Sequence, residues 1–65
     1  MIEEIINNFK KFLHETGILQ TTAAKDLNIS KSHLSKILNR HDNPSTTLLI
    51  RMEEYMYDNQ RRPIP

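Results

Sequence analysis

Not one cysteine occurs in this chain of 65 residues, and that absence constrains the fold more than any motif does. A chain this short forms one domain at most, near the lower size at which folding proceeds without help. Disulfides and thiolate metal sites, the usual supports of small domains, are excluded. The core must therefore come from packed helices, with a second copy of the chain as the only further source of buried surface. No apolar run approaches the ~18 residues that span a bilayer. The opening "MIEEIINNFK" has no basic region ahead of an apolar one, as a secretory leader would. The expectation from these features is an intracellular soluble domain.

The apolar residues repeat with helical spacing. Ile2, Ile5, Ile6, Phe9, Phe12 and Leu13 fall at i, i+3, i+4, i+7, i+10 and i+11, which predicts a helix over residues 2–15. Glu3 and Glu4 suit its positive end, and Gly17 suits a left-handed stop just beyond it. A second, short helix is expected from residue 20 or 21 to 27, with Ala24 and Leu27 inward. Asn28 tolerates positive φ better than any residue except glycine and marks a sharp turn. Ser30 is a good N-cap for a third helix reaching about residue 39, with Leu34, Ile37 and Leu38 inward. The loop "RHDNPS" follows, and Ser45 caps a fourth helix carrying Leu48, Leu49, Met52, Tyr55 and Met56 on one side. The closing "DNQRRPIP" has two of the three prolines and no period. The expected architecture is all-α, a compact bundle of four helices or at most five, with one domain over residues 1–57 and a tail over 58–65.

Net charge is only +1, but the charges are not mixed evenly. Residues 20–41 hold Lys25, Lys31, Lys36 and Arg40 against the single acid Asp26, whereas residues 42–60 hold Asp42, Glu53, Glu54 and Asp58 against Arg51. A basic middle beside an acidic flank points to one face made for an anion and another that avoids it. The third helix sharpens this. Opposite Leu34, Ile37 and Leu38 runs the row Ser32, Lys36 and Asn39, flanked by His33, Ser35 and Arg40, with Lys31 in the first turn. A helix face that is merely solvated tends to mix signs, because i, i+4 pairs of opposite charge stabilise it. Here only donors and cations occur, on a helix that fits the major groove of DNA, where base edges are read by such side chains.

These residues resemble a known family. "QTTAAKDLNISKSHLSKIL" is similar to the helix-turn-helix of Cro and phage-repressor proteins, the Xre-like group of bacterial and phage regulators. Gln20 opens the first helix of the motif, which spans about residues 20–39. Ala24 is the small residue at the helix crossing, Leu27 lies in the core and Ile29 follows the turn. Leu34 and Ile37 are the inward residues of the recognition helix. "NPSTTLLIRMEEYM" resembles the family's loop proline and next helix, so the similarity covers about residues 17–56. There are three departures. Asn28 stands where the turn residue is usually glycine. Leu19 stands where a capping threonine is common, so the cap is expected to shift to Gln20 or Thr21. A short tail follows residue 57 where the family usually has a fifth helix.

The resemblance implies a lambda-repressor-like fold and a role for each polar residue. The start of the recognition helix reads bases, which points to Lys31, Ser32 and His33, and to Lys36 one turn later. Gln20, Thr21 and Thr22 correspond to the phosphate clamp at a helix N-terminus. Ser35, Asn39, Arg40, Asn43 and Ser45 border the DNA backbone, with His41, Thr46 and Thr47 on the same side. The implied function is a sequence-specific regulator of transcription, a repressor that occupies an operator in double-stranded DNA. The operator is expected to be palindromic and to be read by a homodimer.

Other classes of function are less well supported. A protein-interaction module, such as an antitoxin-like or accessory subunit, would need a sizeable extra segment to wrap its partner. An RNA-binding bundle would need an aromatic platform for single-stranded bases. An enzyme is not expected, because His14, His33 and His41 lie on three different segments without paired carboxylates. No cofactor is implied and no metal site suggests itself.

Overall fold

The local chemistry of each segment explains where its helix begins and ends. The computed structural model describes residues 2–60, Gln60 by its backbone alone. Four helices follow one another: α1 (Ile2–Thr16), α2 (Gln20–Asp26), α3 (Lys31–Leu38) and α4 (Thr46–Gln60). Among the described residues there is no strand, and no helix is long and apolar enough to cross a membrane. The chain is thus an all-α bundle.

α1 buries Ile6, Phe9, Phe12 and Leu13, and Glu3 and Glu4 lie in its first turn. Ile2 is 44% exposed, so the apolar stripe read from the sequence outruns the core by one turn. The helix stops at Gly17, whose φ of +74° lets its N–H donate back to the Leu13 carbonyl at 3.0 Å.

α2 buries Ala23 and Ala24, 0% and 1% exposed, and these small side chains let it lie close against α3. Ala24 is inward as its spacing predicts, and Ala23 beside it is buried as well. The expected shift of the α2 cap does not occur. Leu19 itself is the N-cap, with φ −74° and ψ 148° and no side-chain hydrogen bond to the helix end. The reason is positional: half-buried Ile18 packs on the core, and the Leu19 carbonyl already accepts from Ala23 N–H at 3.0 Å.

The turn between α2 and α3 is closed by two backbone bonds. Ile29 N–H donates to the Ala24 carbonyl at 2.9 Å and Asn28 N–H to the Lys25 carbonyl at 3.1 Å. This is a Schellman end, and it requires the left-handed φ of 62° that Asn28 adopts. Ser30 Oγ then accepts from His33 N–H at 3.0 Å and starts α3. α3 ends in the same way: His41 N–H donates to the Lys36 carbonyl at 2.8 Å, Arg40 N–H donates to the Ile37 carbonyl at 3.1 Å, and φ is 63° at Arg40.

Ser45 Oγ accepts from Leu48 N–H at 3.1 Å and caps α4. Leu48, Leu49 and Met52 are buried, with Tyr55 and Met56 packed against the core beyond them. Phe9, Phe12 and Tyr55 form an aromatic group with centroids 6.0–6.2 Å apart, which joins α1 to α4. The Tyr55 hydroxyl donates to Asp26 Oδ2 at 2.8 Å, so the one acid of the basic middle is tied to α4. α4 continues past residue 57, where the tail was expected to begin, as far as Gln60. Its last turn is polar but keeps its helical bonds, and the half-buried Asn59 donates from its side-chain amide to the Tyr55 carbonyl at 2.8 Å. The expected tail residues 61–65 lie outside the described residues.

Candidate nucleic-acid interface

α3 is fixed on one side and open on the other. Leu34 and Ile37 are 0% exposed and Leu38 3%, so truncating any of them leaves a void in the core of the described residues. The Schellman turn and the Ser30 cap set where α3 starts, and α2 and α1 pack against it. With one face so held, the other presents Lys31, Ser32, Lys36 and Asn39 to solvent, and His33 and Ser35 half-exposed. Neither Lys31 nor Lys36 has an ion-pair partner among the described residues. An uncompensated cation pair on a rigid helix is the arrangement a polyanion recognises.

The polar residues expected at the site divide by what they already bond. Gln20, Thr21 and Thr22 are exposed in the first turn of α2, and their side chains make no hydrogen bond among the described residues. Ser45 Oγ accepts from the helix it caps, which leaves its hydroxyl hydrogen available to a phosphate. Asn39 is engaged: its side-chain amide donates to the Ser35 carbonyl at 2.9 Å and to Ser35 Oγ at 3.3 Å. Asn43 donates its backbone N–H to Asp42 Oδ1 at 2.9 Å. Exposed Thr46 opens α4, next to Ser45.

Two side-chain contacts alter the electrostatics read from the sequence. Arg40 reaches across to α1, with Nη1 2.8 Å from Glu3 Oε1 and Nη2 donating to Asn7 Oδ1 at 2.8 Å. It is therefore a bridge between the end of α3 and the start of α1 rather than a free loop cation. His33 Nε2 lies 3.6 Å from Asp42 Oδ2, so the loop brings one acid to the edge of a face that holds none on the helix itself. Sequence spacing carried no signal for either pair, because the partners of Arg40 are more than 30 residues away in the chain. His14, His33 and His41 stay on separate segments. Among the described residues no group of three His, Cys, Asp or Glu is placed to hold a metal ion.

The rigid core side, the uncompensated lysines and the tight α2–α3 turn describe a helix-turn-helix, and comparison with known proteins agrees. A family model described as helix-turn-helix matches residues 10–56. No curated protein and no solved structure matches the chain. The match runs from the middle of α1 to Met56 in α4, so it contains the whole of α2, the turn and α3. The chain belongs to the helix-turn-helix family of Cro and phage-repressor type, whose members are regulators that bind double-stranded DNA.

Proposed function

We propose that this protein is a repressor that recognises an operator sequence by inserting α3 into the major groove. The observation that carries the reading is the two-sided character of α3: Leu34, Ile37 and Leu38 are buried, while Lys31 and Lys36 stand opposite without acidic partners. Lys31 and Lys36 donate to guanine O6 and N7, and Ser32 and His33 serve the same base edges, each good contact giving ~1–3 kcal/mol of discrimination. Gln20, Thr21 and Thr22 hold a phosphate without giving up an internal bond. Ser35, Asn39, Arg40, Asn43 and Ser45 border the backbone, and Asn39 and Arg40 must exchange a protein partner for a phosphate to do so.

The same reading includes a twofold homodimer. The outer side of α4 carries Ile50 and Tyr57, each 51% exposed, in a groove shared with Glu53, Glu54 and Asp58. Its acids make it a poor surface for DNA and a good one for a second copy of this chain, whose sequence offers Arg61 and Arg62, outside the described residues, as cations of opposite charge. A symmetric pair reads a palindrome whose half-sites lie about one helical turn apart, ~34 Å.

Titrating salt against affinity for duplex DNA tests the reading. With about three to four cations per subunit near phosphates, the log–log slope is roughly −5 to −7 for the dimer. A slope near zero, or equal affinity for an acidic protein and for DNA, removes the DNA reading in favour of a protein-interaction module.

A further inference from the structure

The α2 end of the proposed interface is built from neutral side chains, since Gln20, Thr21 and Thr22 carry no charge. A shallow depression beside Gln20 supplies what they lack. It is lined by Lys10 and His14 of α1, by Leu19 and Gln20 at the start of α2, and by Leu38 at the end of α3. No acid lines it. Lys10 has no ion pair or hydrogen bond among the described residues, and His14 stands one turn further along the same helix face.

The adjacent lysine provides an internal comparison. Lys11 lines a different depression together with Glu15 and Glu53. Two consecutive lysines thus sit in different surroundings, one with two carboxylates lining its depression and one with none. Leu19, 69% exposed, and Leu38 give the Lys10 depression an apolar wall along which a lysine stem can lie while its ammonium stays outward. Arg40, the cation expected at the far end of α3, is meanwhile held by Glu3 and Asn7.

We propose that Lys10 is a DNA-backbone contact. Its ammonium takes a phosphate beside the one held by Gln20, with His14 offering a hydrogen bond in the same depression. The DNA footprint then reaches beyond the helix-turn-helix onto α1. This rests on the DNA reading given above, which the salt titration tests separately.

The test uses the full chain and two duplexes of equal length, one carrying the site selected by the unaltered protein and one scrambled. Lys10→Gln is expected to lower affinity for both duplexes by about 3- to 10-fold near 0.1 M salt and to make the salt slope shallower by about 0.9 per bound subunit. Lys10→Arg retains affinity and slope, and Lys11→Gln stays within about twofold of the unaltered protein. Thermal midpoints are recorded for each variant, because a lysine that only covers Leu19 and Leu38 changes the midpoint and leaves the slope alone. Equal slopes for Lys10→Gln and Lys11→Gln overturn the proposal. If the unaltered protein binds neither duplex with a salt-dependent affinity, the DNA reading itself has failed, and Lys10 with it.

Discussion

Asn28 and Arg40 occupy the same kind of position, the left-handed residue that ends a helix, and they show what a sequence reveals residue by residue. Asn28 was legible because asparagine tolerates this conformation and sits between two helical stripes. Arginine has no such preference, and its place became clear only from the Ile37 and Lys36 carbonyls that bond across it and from Glu3 and Asn7. A left-handed non-glycine residue costs roughly 1–2 kcal/mol, while an exposed ion pair returns about 0–1 kcal/mol. Arg40→Gly relieves the strain and loses the bridge, so chemical denaturation is expected to give a stability within ~1 kcal/mol of the unaltered protein. A loss well beyond that means the bridge to α1 contributes far more than its exposure suggests. The residues proposed to read bases separate from the proposed phosphate contacts by a different measurement. Lys36→Ala or Ser32→Ala is expected to change the preferred base at one or two operator positions, whereas Gln20→Ala weakens binding to all sequences nearly alike. If Lys36→Ala keeps the preference and only flattens the salt slope, Lys36 is a phosphate contact.

Among the elements, the helix order and inward faces were legible because the 3.6-residue period is strong in α1 and α3 and, though weaker, still sets Leu48, Leu49, Met52, Tyr55 and Met56 on one side of α4. The ends of α2 and α4 were less so. Gln60 and Asn59 are polar yet compatible with helix, and polarity alone does not stop one. At α2 the cap was sought on a residue with the right side chain, whereas the packing of Ile18 decides that Leu19 fills the position. That mismatch makes a prediction. Leu19 already has extended N-cap dihedrals, no side-chain cap bond and 69% exposure, so replacing it forfeits little burial. Leu19→Ser is expected to raise stability by about 0.5–2 kcal/mol, read as a higher denaturation midpoint at unchanged m-value. A lower midpoint would show that Leu19 packs more than its exposure implies. Leu34→Ala tests the opposite case. Truncating a fully buried leucine costs ~2–5 kcal/mol, enough to unfold much of so small a domain, and near-native helicity in that variant would contradict the idea that the core holds α3 in place.

At the scale of the whole molecule, the chain separates its charges: cations on α3 and beside Gln20, acids along the outer side of α4. The asymmetry was legible in the sequence as a basic middle and an acidic flank. What was not legible is how the fold redistributes it, because Asp26 is drawn to Tyr55 and Arg40 to Glu3 through contacts between distant segments. Under the proposed function the separation gives each side one partner, DNA on the cationic side and a second copy on the acidic one. Sedimentation equilibrium is expected to show a weak dimer for the free protein and a monomer for a form ending at Gln60, which keeps α4 whole. If both are monomers and the shortened form binds its operator with unchanged stoichiometry and affinity, the tail has no part in pairing. The central claim, that α3 reads sequence in duplex DNA, is tested most directly by letting the protein enrich binders from random duplexes. One preferred site with dyad symmetry and half-site centres about 10 base pairs apart is expected. Uniform retention of all sequences, with no motif emerging over successive rounds, would contradict it.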